Sequence, residues 1–355
     1  MEMQELVVFI GSALLSYLVY GPIRAMYSTL KIVDTPDWRK VNFRPVALGA
    51  GLVLMLVVFN AVAGLYVFEY DQLNFFSGLA IGMITLYIVG LVDDVYQLRA
   101  SVKFIIHVFM ALMTTLSLDV VLFDLHGLFG LDVLPNGLAI FLSFLVILVF
   151  INIFNLVDGI DGLAIGISMI ALIIVYPTSV IAQNQSLSTF LIAVSGCIVV
   201  LFSLNHSKTK MYLGDSGSTA LGYLLSCVVL YQLTNAKFTF PLVDYTLYGP
   251  VYCMCIFWYP LVDVTRVILI RLKQGKSIFS PDRNHLHHIL VDSGLSHLRV
   301  SILLMLITFV FSLLSFYLSK FLSLNILFAV MFLLALILTK ALIVYSRTHI
   351  EEKLK

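Results

Sequence analysis

Apolar residues run along this chain in blocks rather than in an amphipathic rhythm. Eleven such blocks of 17 to 24 residues can be drawn, at 6–27, 46–68, 75–92, 102–118, 137–155, 163–181, 187–204, 216–234, 247–270, 299–319 and 323–345. Each is close to the roughly 20 residues that a helix needs to cross the hydrocarbon of a bilayer. Lipid offers the backbone no hydrogen bonds, so segments of this kind satisfy their own amides as helices. The stretch 119–136 is also apolar but carries Asp124, His126 and Asp132. It is expected to form an interfacial connection, since one more span there would invert every later loop. The pattern predicts an all-α polytopic bundle of 10–11 spans. Residues 1–355 form one integral membrane unit, with 346–355 a short polar tail and the longest hydrophilic stretch, about 271–298, a loop.

Composition agrees. Of 355 residues, 61% are hydrophobic and only 12% charged, about half the charged fraction of an ordinary soluble domain. The net charge of +1 says nothing about partners, but its distribution does. Alternate connections hold Lys31, Arg39, Lys40 and Arg44, then Arg99 and Lys103, then Lys208 and Lys210, then Arg271, Lys273, Lys276, Arg283 and Arg299. The other connections hold only Lys237 and Lys320. Basic loops stay in the cytoplasm, which puts the N-terminus outside and the C-terminus inside. With Glu2 and Glu5 and no basic residue before the first block, that block reads as a retained helix rather than a cleaved signal. Cys197, Cys227, Cys253 and Cys255 all lie inside apolar blocks and read as small core residues.

Drawn on this topology, the acidic residues fall on one membrane face. Asp93 and Asp94 end the third block, Asn155, Asp158 and Asp161 end the fifth, and Asp215 opens the eighth in Gly214-Asp215-Ser216-Gly217-Ser218. Asp263 lies in the cytoplasmic half of the ninth, followed by Asp282, Arg283, His285, His287 and His288. Ionisable groups at membrane depth are costly and usually pair, bind ions or line a cavity. Adjacent Asp93 and Asp94 repel unless a cation lies near, and Arg99 and Lys103 could supply it. Asn155, Asp158 and Asp161 share a face if the helix continues, giving an oxygen-rich strip suited to Mg²⁺. Gly159 and Gly162 would then interrupt the helix and let backbone approach a ligand. The turn at Gly214 reads either as a phosphate cradle at a helix start or as an ordinary N-cap. For the histidines, three readings stand: zinc, phosphate contact together with Arg283, or an exposed loop.

The set Asp93-Asp94, Asn155-Leu-Val-Asp158-Gly-Ile-Asp161-Gly, Gly214-Asp215-Ser-Gly-Ser and Pro281-Asp282-Arg283-Asn-His285-Leu-His287-His288 resembles the polyprenyl-phosphate N-acetylhexosamine-1-phosphate transferases. Within that family it is most similar to the bacterial branch acting on GlcNAc-1-phosphate. The resemblance runs in order from Asp34 to Leu290, and Asp34-Thr-Pro36-Asp37-Trp-Arg39-Lys40 resembles the family's first cytoplasmic loop. One departure is visible: Pro45-Val-Ala-Leu-Gly49-Ala50-Gly51 is stretched where the family has Pro, two residues and a Gly-Gly pair.

The resemblance implies a Mg²⁺-dependent enzyme, with Mn²⁺ as a substitute, in the bacterial cytoplasmic (inner) membrane with its active site facing the cytoplasm. It implies transfer of a sugar 1-phosphate, GlcNAc-1-phosphate first among candidates, from a UDP-N-acetylhexosamine to undecaprenyl phosphate with release of UMP. Such a step begins synthesis of a surface polysaccharide such as O-antigen, common antigen or a teichoic acid linkage. It further implies Asp215 as principal metal ligand, with Asn155 and Asp158 beside it, and Asp93 or Asp94 on the lipid phosphate. Lys103, Arg283, His285, His287 and His288 would hold diphosphate and sugar, with Asp161 and Asp263 as further candidates. The implied partners are lipid and nucleotide sugar, with a second copy of the chain as a candidate and no nucleic acid. Two rival classes are an intramembrane prenyltransferase, for which Asp93-Asp94-Val-Tyr-Gln lacks a third acid, and a secondary transporter, which would show repeated halves and midplane charges.

Overall fold

The computed structural model describes residues 3–34, 45–68, 70–235, 239–240, 243–277 and 283–354. The first-loop motif at 35–44, Lys237, and Pro281 with Asp282 lie outside the described residues. The helices are α1 (Met3–Thr29), α2 (Ala50–Val67), α3 (Leu73–Tyr96), α4 (Ala100–Ser117), α5 (Asn136–Val157), α6 (Leu163–Ile181), α7 (Gln185–Asn205), α8 (Gly214–Asn235), α9 (Tyr245–Ile256), α10 (Trp258–Lys273), α11 (Leu286–Asp292), α12 (His297–Leu318) and α13 (Leu324–Leu354). Ten are long and apolar enough to cross a membrane, and α9 with α10 makes an eleventh, broken span.

That break corrects the expectation of one straight helix over 247–270. The two pieces meet at 72°, and Phe257 between them leaves helical geometry at φ −108°, ψ 21°. Pro260 is the physical reason. It has no N–H for the carbonyl of Ile256, and its ring crowds that turn, so the helix must restart. At the other extreme, α13 carries on to Leu354, so the expected polar tail continues a membrane helix.

The stretch 119–136 forms no span. Asp124–Leu128 pairs antiparallel with Leu131–Val133, and Asn325 at the start of α13 pins this hairpin. The Phe129 N–H donates to Asn325 Oδ1 at 2.8 Å, and Asn325 Nδ2 donates to the Gly127 carbonyl at 2.9 Å.

The centre of the bundle is α8. Within an 18-residue apolar stretch of α8, 89% of the residues are buried, against 17% for the matching stretch of α1. Lipid presents no drive for helices to associate, so close packing of small residues does the work. Near the start of α8 lie Ser216, Gly217 and Ser218. A Cβ on Gly51 of α2 would come within 2.7 Å of the Gly217 Cα, and one on Gly90 of α3 would strike the backbone of Ser216. These approaches explain why the stretched Pro45–Gly51 segment keeps Gly51. They also bring the C-terminal ends of α3 and α5 and the N-terminal end of α4 against the first turn of α8, at one end of the bundle.

Candidate active site

The first turn of α8 is organised by a side chain from another helix. Asp94 in the last turn of α3 accepts the N–H of Asp215 at 2.8 Å on Oδ1. Its Oδ2 accepts the Ser216 N–H at 3.2 Å and the Ser216 hydroxyl at 2.8 Å. A carboxylate at a helix start satisfies orphan amides and opposes the positive end of the dipole. The Gly214 turn is thus capped, but by Asp94 of α3 rather than by its own Asp215 or Ser216, and the amides of Asp215 and Ser216 are occupied by that carboxylate.

Its neighbour does something different. Asp93 accepts the Leu98 N–H at 2.7 Å and the Lys103 ammonium at 2.8 Å. Lys103 also donates to Oδ2 of Asp215, so one cation sits between carboxylates from α3 and α8. Asn155 Nδ2 donates to the other Asp215 oxygen at 2.8 Å and to the Ser218 hydroxyl at 3.1 Å. Lys103, expected to hold diphosphate, is thus placed among the acids. One turn further into the membrane, His107 meets Asn152 at 3.2 Å, extending this polar α4–α5 seam.

The expected strip of Asn155, Asp158 and Asp161 does not form. Helix α5 ends at Val157, with Asp158 as its cap residue, so the spacing of three no longer means a shared face. Asp158 faces inward and receives no hydrogen bond among the described residues. Burial, followed by the nearby charges of Asp215, Asp94 and Asp161, raises its carboxyl well above the ordinary range. Asp161 turns away to a second cluster: Lys210 donates to Oδ2 at 2.6 Å, and His297 Nδ1 lies 3.4 Å from Oδ1. Burial alone would raise the Asp161 carboxyl, but His297 and Lys210 outweigh it and hold it at about 2.

The histidine segment is buried at its core, which overturns the exposed-loop reading: His285 is 5% and His287 1% exposed. Asp263 organises it. One oxygen accepts Arg266 Nη2 at 2.7 Å and the Leu286 N–H at 2.9 Å, and the other meets His285 Nδ1 at 3.0 Å. Both Asp263 oxygens are committed, so this residue positions the segment rather than offering a free ligand. Tyr259 meets His287 Nδ1 at 2.8 Å. The Nε2 atoms of His285 and His287 are then left buried without partners among the described residues. Such orphans are uncommon and mark a place for a ligand. Gly159, next to Asp158, faces one of them: a Cβ there would come within 2.5 Å of His287 Nε2. The histidines and the loop after α5 thus share one pocket. Arg283 sits on the rim, 42% exposed, and pairs with Asp292 at 2.5 Å. Burial, then the charge of Arg283, lowers the His288 imidazole to about 4.

Tyr259, Arg266, Lys210 and His297 were not foreseen as site residues. Lys210 was visible only as a topology marker. Tyr259 and Arg266, on α10, had as their only signal a helical spacing to Asp263.

Among the described residues no three His, Cys, Asp or Glu side chains form a ready coordination group. The donor chemistry nevertheless fits a hard divalent cation. Among the described residues Asp93, Asp158 and Asp215 offer carboxylate oxygens and Asn155 an amide, and Asp158 receives no donor. Hard oxygen sets of this kind suit Mg²⁺ or Mn²⁺.

The fold and site define a membrane-embedded helical protein with a cluster of carboxylates, adjoined by buried histidines, at one end of its bundle. A family model described as glycosyl transferase family 4 matches residues 75–232. A probable undecaprenyl-phosphate N-acetylglucosaminyl 1-phosphate transferase of Bacillus subtilis is 30% identical over 324 residues, spanning 88% of this chain and 84% of that protein. A decaprenyl-phosphate N-acetylglucosaminephosphotransferase of Mycobacterium tuberculosis is 27% identical over 331 residues, spanning 83% and 78%. An undecaprenyl-phosphate alpha-N-acetylglucosaminyl 1-phosphate transferase of Escherichia coli is 26% identical over 293 residues, spanning 80% and 75%. The chain belongs to glycosyl transferase family 4, among the polyprenyl-phosphate N-acetylhexosamine-1-phosphate transferases.

Proposed function

We propose that the protein transfers N-acetylglucosamine 1-phosphate from UDP-N-acetylglucosamine to undecaprenyl phosphate, releasing UMP. An oxygen of the lipid phosphate attacks the phosphorus that carries the sugar. The bond from that phosphorus to the bridging oxygen breaks, UMP departs with the electron pair, and a lipid-linked diphosphate sugar results. The observation that carries this reading is the convergence of Asp93 and Asp215 on a single lysine at a bundle end, with the Asp158 carboxyl close enough to feel the charge of Asp215. Both reactants are anionic, and a pocket this rich in carboxylates suits them only with a cation.

Mg²⁺ or Mn²⁺, held by Asp215 with Asn155 and Asp158, would neutralise the diphosphate and ease departure of UMP. A phosphate monoester is largely dianionic near pH 7, so Asp93 is assigned to orient the lipid phosphate rather than to deprotonate it fully. Asp94, whose oxygens cap α8, is assigned to placing Asp215. The free Nε2 atoms of His285 and His287, with Arg283 at the rim, are assigned to the diphosphate and sugar.

The concentration of lysine and arginine in the loops at the site end supports a cytoplasmic site, an N-terminus outside and a C-terminus inside. That arrangement suits the inner membrane and the opening step of surface polysaccharide synthesis.

The test is to give the purified protein undecaprenyl phosphate, Mg²⁺ and a panel of UDP-sugars, and to measure UMP. Release should be fastest with UDP-N-acetylglucosamine and should need both lipid and metal. No UMP from any sugar of the panel would overturn the reading.

A further inference from the structure

The bundle carries a second large cavity on the opposite side of α10 from the carboxylates. It has a volume of about 870 Å³ and lies between α9–α10 and α13, with Phe311 of α12 and Phe129 of the hairpin contributing. Two facing stripes build it. On α10 the lining recurs at Trp258, Leu261, Thr265, Leu269 and Lys273, and on α13 at Phe328, Phe332, Leu336, Lys340 and Arg347. These spacings of three, four and seven keep each stripe on one helix face.

Each stripe changes character along its length. The end near the hairpin is aromatic and aliphatic, while the end toward α11 carries Arg266, Lys273, Lys340 and Arg347. Among the described residues no acidic one lines the cavity. Lys273, Lys340 and Arg347 are exposed and take part in no ion pair among the described residues. Arg266 presents a buried Nε without a partner, while its Nη2 holds Asp263 and the Asn284 carbonyl.

An apolar trough ending in four cations, three of them outside any ion pair among the described residues, on a protein that spans a bilayer, matches one kind of molecule. We infer that this groove binds an anionic phospholipid, its acyl chains against the α10 and α13 stripes and its headgroup phosphate among Arg266, Lys273, Lys340 and Arg347. The occupant is a resident lipid rather than the reacting one. The groove is lined from α9, α10, α12, α13 and the hairpin, whereas the carboxylates come from α3, α4, α5 and α8; Arg266, which holds Asp263, is the residue that joins the groove to the histidine side of the site. A phosphate held here lies across α10 from Asp93 and Asp215. Through Arg266 it bears on Asp263 and hence on the segment that carries His285.

The experiment compares the full chain with the triple variant Lys273→Gln/Lys340→Gln/Arg347→Gln in nanodiscs of phosphatidylcholine, titrated with phosphatidylglycerol and read by native mass spectrometry. None of the three residues touches the carboxylates or histidines. The parent should retain phosphatidylglycerol in preference to phosphatidylcholine. Each cation near a membrane surface contributes about fivefold to binding of an anionic lipid, so the triple variant should lose roughly a hundredfold. Leu336→Trp, which fills the trough and leaves the charges, should also weaken retention. Equal retention of the two lipids by parent and variant would overturn the assignment. So would displacement of phosphatidylglycerol by undecaprenyl phosphate together with a raised acceptor KM in the triple variant, since the groove would then belong to the reacting lipid.

Discussion

Two carboxylates at the same end of the bundle show how differently burial can be resolved. Asp263 is complete. Arg266, the Leu286 amide and His285 account for both of its oxygens, and nothing more is needed to keep it charged inside the protein. Asp215 sits in an incomplete cluster. Its two oxygens take Lys103, shared with Asp93, and the Asn155 amide, while nearby Asp158 has no donor among the described residues. Removing a charge from water costs several kcal/mol unless partners replace the lost hydration. Asp263 therefore reads as scaffold and Asp215 as the edge of a cluster in which one lysine serves two carboxylates. The same contrast separates Asp94, whose oxygens cap α8, from adjacent Asp93, which faces the lysine.

The largest effect should come from the incomplete side. Asp215→Asn should lower turnover by about 10²–10³, the scale for loss of one preorganised electrostatic group, with a melting temperature close to the parent's. UMP release and thermal unfolding in detergent check both halves, and unchanged turnover would end the assignment of Asp215.

Gly159→Ala tests whether the two regions form one pocket. The new methyl group would push His287 Nε2 aside, and displacements near 1 Å cost about 10² in rate. Activity equal to the parent's would separate the histidines from the carboxylates.

Adjacent residues should then part company. Asp94→Ala should destabilise the protein by about 1–2 kcal/mol, as lost helix caps do, whereas Asp93→Asn should lower turnover with little change in stability. Comparable unfolding curves for the two would contradict the division of labour.

The smallest effect is on the acid side of the stability profile. The folded-state imidazole of His288 is lowered to about 4 from an ordinary 6.5, so between those values the unfolded chain binds the extra proton. Its stabilising share is full above pH 6.5 and drains as pH falls toward 4. Asp161, held at about 2 against an ordinary 3.8, contributes fully above pH 4, and its share is lost only as pH falls through 2. Melting temperature measured from pH 7 to pH 3 should decline first in the histidine window. His288→Gln should flatten that first decline and leave the later one in place.

Much of this was legible before any coordinates. Blocks of apolar residues near the length of a bilayer gave span number and ends, because lipid forces each block to close its own hydrogen bonds. The loops' lysines and arginines pointed to one face, and the acids fell on it. Reading 119–136 as a connection also held, since three polar residues interrupt its hydrophobicity. Less visible was where a helix stops. Asn155, Asp158 and Asp161 look like one face of a helix, and only the end of α5 at Val157 sends Asp158 and Asp161 to different partners.

Local pattern, then, determined which segments cross the membrane and which carry charge, because both follow from the cost of placing a group in hydrocarbon. Tertiary structure alone decided which charge does what. Whether Asp94 caps a helix, Asp263 holds a histidine or Asp215 shares a lysine with Asp93 depends on contacts between α3, α4, α8, α10 and α11. Those contacts join residues far apart in the chain, and no local spacing encodes them.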